Sequence, residues 1–260
     1  METSRRYLVA ASMLLLLDLA SHASAQSYPS KPIRLLVGFP PGGGADYTAR
    51  LMSMKLSEAF GQQVVVDNRP GANAIIASEL VAKSPADGYT LLNAVSASHA
   101  INPNVYAKLP YDAVKDFAPV TEVALTPLIL VVLPSLPVSN VKELIALAKS
   151  RPGELNFASA GAGNVTHLAA ELFKSMTGTS IVHVPYKGSA PALVDLMAGQ
   201  ISMYFDTMPS SLPHVRAGKL KALAVTSAQR SLAAPEIPTV AESGVPGFEK
   251  IGRASCRERV

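Results

Sequence analysis

Short apolar runs alternate with stretches in which apolar residues return every three or four positions, the pattern of strands alternating with helices. Leu35-Leu36-Val37 closes a buried strand, and Pro40-Pro41-Gly42-Gly43-Gly44 permits neither strand nor helix. From about Asp46, Leu51, Leu56 and Phe60, with the stem of Lys55, mark one face of a helix. Further on, Gln63–Asp67 reads as a strand, Ile75–Lys83 as a helix and Tyr89–Val95 as a strand. A second set begins with the run Leu128–Leu133. A helix comes next, in which Asn140 and Glu143 have capping-box spacing and Val141, Leu144, Ile145 and Leu147 form the apolar side. Leu155–Ala158 is a strand, and Ser159-Ala160-Gly161-Ala162-Gly163-Asn164 turns into a helix over about Val165–Met176. Strands over Ile181–Val184, Ile201–Phe205 and Leu220–Val225, with a helix near Pro191–Ala198, complete the set, and the proline-bearing remainder is irregular.

Strands alternating with helices give βαβ units and a mainly parallel sheet. Two such sets, each with a glycine-rich strand-to-helix turn, predict an α/β protein of two lobes with a ligand cleft between them. Lobe 1 is expected over 26–123 and 228–250 and lobe 2 over 124–227, with crossings near Val123–Thr126 and Thr226–Ser231. The chain of 260 residues is long enough for two modest cores, and 48% hydrophobic against 16% charged residues excludes a disordered chain.

The two ends change this picture. Arg5-Arg6, the apolar run Tyr7–Leu17 and Ala23-Ser24-Ala25 have the layout of a cleaved signal peptide over 1–25, which predicts export to a periplasm. The last ten residues, Ile251–Val260, are arginine-rich and aperiodic, and they resemble the read-through of a short-read sequencing adapter. They are set aside as a non-native tail that packs against nothing, leaving lobe 1 incomplete. The one cysteine, Cys256, lies in that tail, so no disulfide framework is available to the body. With 23 basic and 19 acidic residues the charge is nearly balanced, and the absence of a basic, aromatic-laced patch argues against a nucleic-acid partner.

A glycine turn at a helix start presents backbone N–H groups beside the positive end of the helix dipole, a setting that suits a small anion. The alternative is an ordinary βα turn that needs glycine only for its φ. Gly42, Gly43 and Gly44 form the first such loop and Gly161, Gly163 and Asn164 the second. Neither contains a lysine or arginine, so an anion there would rely on N–H groups, water and the hydroxyls of Ser96, Ser98 and Ser159. Tyr186-Lys187 could offer a phenol and an ammonium, or be a solvated strand end. His167 and Glu171 share a helix face that could hold a metal, but the reading preferred is a hydrogen-bonded histidine with a local Glu171 partner. Gly161-x-Gly163-x-x-Thr166 lacks the last glycine and the acidic ribose partner of a dinucleotide site, and no phosphate-binding Gly-Lys-Ser/Thr is present. No cofactor or metal is expected. Without a G-x-S-x-G elbow, Ser159 and Ser189 show no activating base, which weighs against an exported hydrolase.

Six motifs in one order carry a resemblance: Phe39-Pro-Pro-Gly-Gly-Gly-Ala-Asp46, Asp67-Asn-Arg-Pro-Gly-Ala72, Asp87-Gly-Tyr-Thr-Leu91, His99-Ala-Ile-Asn102, His183-Val-Pro-Tyr-Lys-Gly188 and Pro238-Thr-Val-Ala-Glu242. Over Tyr28–Lys250 the chain resembles the Bug family, the substrate-binding receptors of tripartite tricarboxylate transporters. The resemblance implies a periplasmic-binding-protein fold of the second type. It also implies a non-enzymatic, monomeric receptor that closes on a small carboxylate (mono-, di- or tricarboxylate, or an amino acid) and delivers it to membrane permease subunits. A ligand-dependent partner of a membrane sensor would have the same fold. Carried over by motif, lobe 1 contributes Pro41, Gly42, Gly43, Gly44 and Asp46 with Ser96, Ser98 and His99. Lobe 2 contributes Ser159, Gly161, Gly163 and Asn164, with His167, Tyr186 and Asp206. Asp46 at a helix start is expected to cap N–H groups, place a water, or accept from an ammonium.

Overall fold

The computed structural model describes residues 28–249 and the backbone of 251–259. The segment expected to direct export lies outside the described residues. The chain divides into two units, Met1–Lys31 and Pro32–Val260, and the second unit carries both lobes.

The first lobe opens with β1 (Ile33–Val37), the glycine turn and α1 (Gly44–Phe60), then β2 (Val64–Asn68), α2 (Ile75–Ala82) and β3 (Thr90–Val95). A π-helical turn at Ala97–Ile101 runs into the short α3 (Asn102–Val105). β1 lies between β2 and β3, parallel to both, and buries Ile33, Leu35, Leu36 and Val37 on its two faces. The second lobe contains α4 (Val141–Ser150), β5 (Asn156–Ser159), α5 (Val165–Thr177), β6 (Val182–Pro185), α6 (Ser189–Met197), β7 (Met203–Thr207), α7 (Met208–Arg216) and β8 (Lys221–Val225). β5 pairs in parallel with β6 and β7. The N-cap expected at α4 forms, the Glu143 N–H donating to Asn140 Oδ1 at 2.9 Å, but the Glu143 carboxylate reaches one residue further back than a capping box requires and accepts from the Ser139 N–H at 2.7 Å.

One long strand, β4 (Phe117–Val132), belongs to both lobes. Through Pro127 it pairs with β9 (Ile251–Arg259); from Leu128 onward it pairs with β7 on one side and β8 on the other. The forward crossing therefore falls at Pro127–Leu128, close to the expected Val123–Thr126. Only the apolar second half of this strand is legible as a run, because Pro119, Thr121 and Glu122 interrupt the first half.

Two expectations are corrected. Residues 228–249 do not join the first lobe: Val240, Val245 and Phe248 are buried with Phe173 and Phe205, and Ala234 and Ile237 with Tyr204 and Leu212. Pro235, Pro238 and Pro246 keep this segment out of the sheet but leave its apolar side chains free to fill the second lobe, apart from one bridge of Val225 to Thr239. The chain accordingly still belongs to the second lobe at Phe248, past the expected return at Thr226–Ser231. The last residues do not lie loose. The backbone of β9 pairs antiparallel with β3 and with β4, filling the place between them. Main-chain hydrogen bonds do not depend on side-chain identity, so an expectation drawn from composition could not anticipate this pairing.

The burial of Phe248 gives a test. Its ring stacks on Phe205 at 6.0 Å and meets Phe173 edge-on at 6.4 Å. Phe248→Ala should cost about 3–5 kcal/mol in urea unfolding. A cost below about 1 kcal/mol would mean that this segment does not belong to the second lobe's core.

Candidate functional site

The two lobes meet over a cavity of about 80 Å³, room for roughly five to eight water-sized groups. The first lobe lines it with Phe39, Gly43, Gly44, Ala45, Thr48, Val95, Ser96 and Ala97; the second with Ala160, Asn164, Val165, Thr166, Ser189, Thr207 and Pro209; Thr126 of β4 closes it at the crossing. No charged side chain is among these residues. Instead, four helices begin there. Gly43–Ala45 start α1, Asn164–Thr166 start α5, Ser189 starts α6, and Thr207–Pro209 start α7. Asn164 caps its own helix by accepting from the Thr166 N–H at 3.2 Å, whereas α1, α6 and α7 have no side-chain cap. Each helix start carries a partial positive charge.

The lobes approach closely because glycine stands where they touch. A Cβ on Gly44 would fall 2.3 Å from Thr207 Oγ1 and 2.9 Å from Thr207 Cβ, and one on Gly188 would fall 2.6 Å from Pro40 Cδ. Gly43, its neighbour in the same loop, has φ −88 and would place its Cβ 3.6 Å from Ser189, an ordinary contact. The requirement for glycine falls one residue later, at the point where α1 meets the opposite lobe.

Of the residues expected to bind, Gly43, Gly44, Ser96 and Asn164 line the cavity. The others lie behind it or outside. Pro41 and Gly42 are exposed, and Gly42 sits at an outer groove with Asp46. Asp46 is buried and fully engaged: it accepts from the Gly42 N–H at 3.0 Å, Arg50 Nε at 2.9 Å and Asn68 Nδ2 at 3.0 Å. Burial alone would raise its pKa, but these donors outweigh burial and hold it below the usual carboxylate range. Ser98 donates to the Val95 carbonyl at 3.0 Å and touches His99 Nδ1 at 2.9 Å; the His99 ring packs edge-on against Phe117 at 4.6 Å. Both hold the turn after β3 rather than line the cavity. Tyr186 donates to Asp195 at 2.7 Å, and burial together with that carboxylate pushes its pKa up to about 12. Asp206 is wholly buried at the end of β7, where its Oδ2 receives the hydroxyls of Ser210 and Ser211 in the first turn of α7. Burial raises its pKa despite those donors.

The second glycine loop does not turn its N–H groups to a ligand as expected. The Ala160 N–H donates to Thr166 Oγ1 at 2.8 Å, Gly161 to Ser159 Oγ at 3.3 Å and Gly163 to His167 Nδ1 at 3.1 Å. Acceptors from within the loop and its helix reach these groups first, a local competition that a glycine pattern cannot reveal. Gly161 and Gly163 therefore shape the loop, at φ +146 and +74. Behind it the rings of His167 and His183 stack at 4.0 Å, with Phe157 against His183 at 4.9 Å. Glu171 lies 3.7 Å from His167, and among the described residues no cluster of three or more His, Cys, Asp or Glu side chains could hold a metal.

Ser159 does have a basic neighbour, contrary to the sequence reading: His183 Nε2 is 2.7 Å from its hydroxyl. The pair is nonetheless unsuited to nucleophilic chemistry. Ser159 is fully buried and lines no part of the cavity. Burial first, then His167 and Lys174, push the His183 pKa down to about 4 against the pull of Glu171, which makes it a weak base at neutral pH. What the sequence left out is a set of hydroxyls: Thr48, Thr126, Thr166, Ser189 and Thr207. The only signal for them is position, since each but Thr126 lies in the first turns of a helix or at its cap.

Comparison with known proteins agrees with this architecture. Residues 48–255 match the family described as "Tripartite tricarboxylate transporter family receptor". The chain is 45% identical over 231 residues to Protein BugT of Bordetella pertussis, covering 88% of this chain and 71% of that one. Among solved structures, R. palustris Rpa4515 with adipate superposes with a TM-score of 0.88 at 44% identity, covering 89% of this chain and 78% of that one. MatC from Rhodopseudomonas palustris with bound malate gives 0.83 at 29% identity, covering 89% and 79%.

The close approach and the half-buried His183 can each be tested. Gly44→Ala should wedge the lobes apart and enlarge the radius of gyration in small-angle scattering, whereas Gly43→Ala should match wild type; equal radii would refute the close approach. The second test concerns acid. A histidine whose folded pKa lies below its ordinary 6.5 is neutral when folded, so the unfolded chain takes up the proton first. The stability that neutral His183 contributes is complete above pH 6.5 and is lost as pH falls toward about 4. His183→Gln should lose less stability than wild type between those values, and the ring should titrate by NMR near 4. A midpoint near 6.5 would show that burial does not govern this ring.

Proposed function

The chain belongs to the tripartite tricarboxylate transporter receptor family, a solute-binding receptor and not an enzyme; from that premise we propose that it binds a small aliphatic carboxylate without an ammonium group between its lobes. The observation that carries this reading is the convergence of four helix starts on a cavity with no charged side chain. Positive helix ends and hydroxyls favour an anion, each helix by about 0.3–1 kcal/mol, and more where water is excluded. The apolar share of the wall, Phe39, Val95, Ala97, Val165 and Pro209, suits methylene groups. Asp46 is engaged by Arg50, Asn68 and the Gly42 N–H, and Asp206 lies wholly buried outside the cavity wall, so no carboxylate among the lining residues receives an ammonium, and burying one unpaired is costly. Adipate and malate in the structures of Rpa4515 and MatC support the same ligand chemistry. In this reading the protein works in the periplasm after its signal peptide is cleaved and hands its ligand to membrane permease subunits.

Thermal shift against matched acids tests the reading. At a hundredfold excess over Kd a true ligand stabilises by about 2.7 kcal/mol, which for a chain of this size raises the melting temperature by roughly 5–11 °C. Glutarate, adipate or malate should give such a shift, and 2-aminoadipate should bind at least tenfold more weakly than adipate. A shift from amino acids alone would overturn the ammonium argument, and a shift from neutral sugars alone would overturn the carboxylate.

A further inference from the structure

The turn between β2 and α2 contains three consecutive non-glycine residues in the left-handed region: Ala72 at φ 46, Asn73 at 53 and Ala74 at 70. Asparagine tolerates this backbone better than alanine does. The turn is held from below, since a Cβ on Gly38 would fall 2.3 Å from Ala74 Cβ. Its middle side chain is held as well. Asn73 Nδ2 donates to Asn102 Oδ1 at 2.8 Å, and Asn102, wholly buried, returns a bond from its own Nδ2 to the Asn73 carbonyl at 3.0 Å. Fixed in this way, Asn73 Oδ1 points across the cleft and accepts from Asn164 Nδ2 at 3.0 Å. Asn164 is 4% exposed, caps α5 through its other side-chain atom and lines the cavity.

Three amides thus form a chain from the core of the first lobe to a helix start in the wall of the site. We propose that Asn73 is a positioning residue, an interlobe latch that joins only when the cleft is closed and that orients Asn164 and the α5 N-terminus against the ligand. Asn73 does not line the cavity, so its influence on binding runs through closure and through Asn164. The latch is neutral at both ends, so salt and pH leave it largely intact, unlike an ion pair in the same place. A half-buried amide pair also separates readily in water, where both groups regain partners, and this suits a contact that must open and close. The inference rests on the cavity being the ligand site, as proposed above.

Asn73→Gly keeps the left-handed backbone but removes the side chain, and Asn73→Asp keeps an acceptor facing Asn164 while giving up, as glycine does, the bond to Asn102 Oδ1. Spin labels at Lys55→Cys on α1 and Arg216→Cys on α7, in a Cys256→Ser background, report the distance between lobes by pulsed electron paramagnetic resonance. Wild type and both variants are measured without ligand and with adipate. The expected result is a closed population reduced at least threefold in Asn73→Gly and restored at least in part in Asn73→Asp, with melting temperatures of the two variants, which both lose the bond to Asn102, within about 2 °C of each other. Identical distance distributions in all three proteins would overturn the latch. So would equal losses in both variants accompanied by lowered melting temperatures, which would make Asn73 a structural residue of the turn. If adipate fails to move even the wild type, the ligand assignment fails separately, and the ligand-free distributions still decide the role of Asn73.

Discussion

Everything at the site depends on how closely two backbones can approach across the cleft. Helix dipoles act within their first turn, so helix starts from opposite lobes act on one small anion only if little separates them. That closeness is supplied by the absence of side chains at two places. At Gly44 the first turn of α1 lies against Thr207 at the cap of α7; at Gly188 the residue before α6 lies against Pro40. A methyl group at either position would separate α1 from α6 and α7 by more than an interaction of such short range tolerates. The glycines matter here less for rare backbone angles than for the space they leave.

The same constraint explains why buried acids stand near the cavity without lining it. Asp46 lies in the first turn of α1, where its charge would oppose a bound carboxylate, but Arg50, Asn68 and the Gly42 N–H take up its oxygens. Its field is thereby largely neutralised before it reaches the cavity, and it serves to fix the angle at which the glycine turn enters the helix. Asp206 does the corresponding work at α7 through Ser210 and Ser211. In both lobes a carboxylate is used to set a helix start, and the helix start then faces the cavity.

The fold was legible from the sequence wherever local pattern decides structure. The first-lobe strand over Leu35–Val37, the helix capped by Asn140 and Glu143, and the turn into the helix at Val165 all derive from periodicity and capping chemistry. Where tertiary contact decides, pattern failed. α7 carries Pro209 and Pro213 and gave no helical pattern to read, yet its start lines the cavity. The stretch 228–249 lacks periodicity because it fills a core without joining a sheet. The glycine loops pointed to two of the helix starts that line the cavity. They could not show that the second loop donates its N–H groups to Ser159, Thr166 and His167, because that depends on rotamers and not on residue types.

A receptor must release what it binds, and the chemistry of this wall bears on that requirement. A lysine or arginine in a dry cavity would hold a carboxylate through a charge-assisted bond about twice as strong as a neutral one, and would be left as a buried, unpaired charge on release. Helix starts and hydroxyls have neither consequence. Their polar groups are part of the backbone or can turn to water, so the empty, open cleft carries no isolated charge. Selectivity then rests on the sign of the potential and on the length of the cavity, while affinity depends on closure. The contacts that govern closure, Gly44 with Thr207 and Asn73 with Asn164, are correspondingly uncharged and short, and each is lost once the lobes separate by a few ångströms.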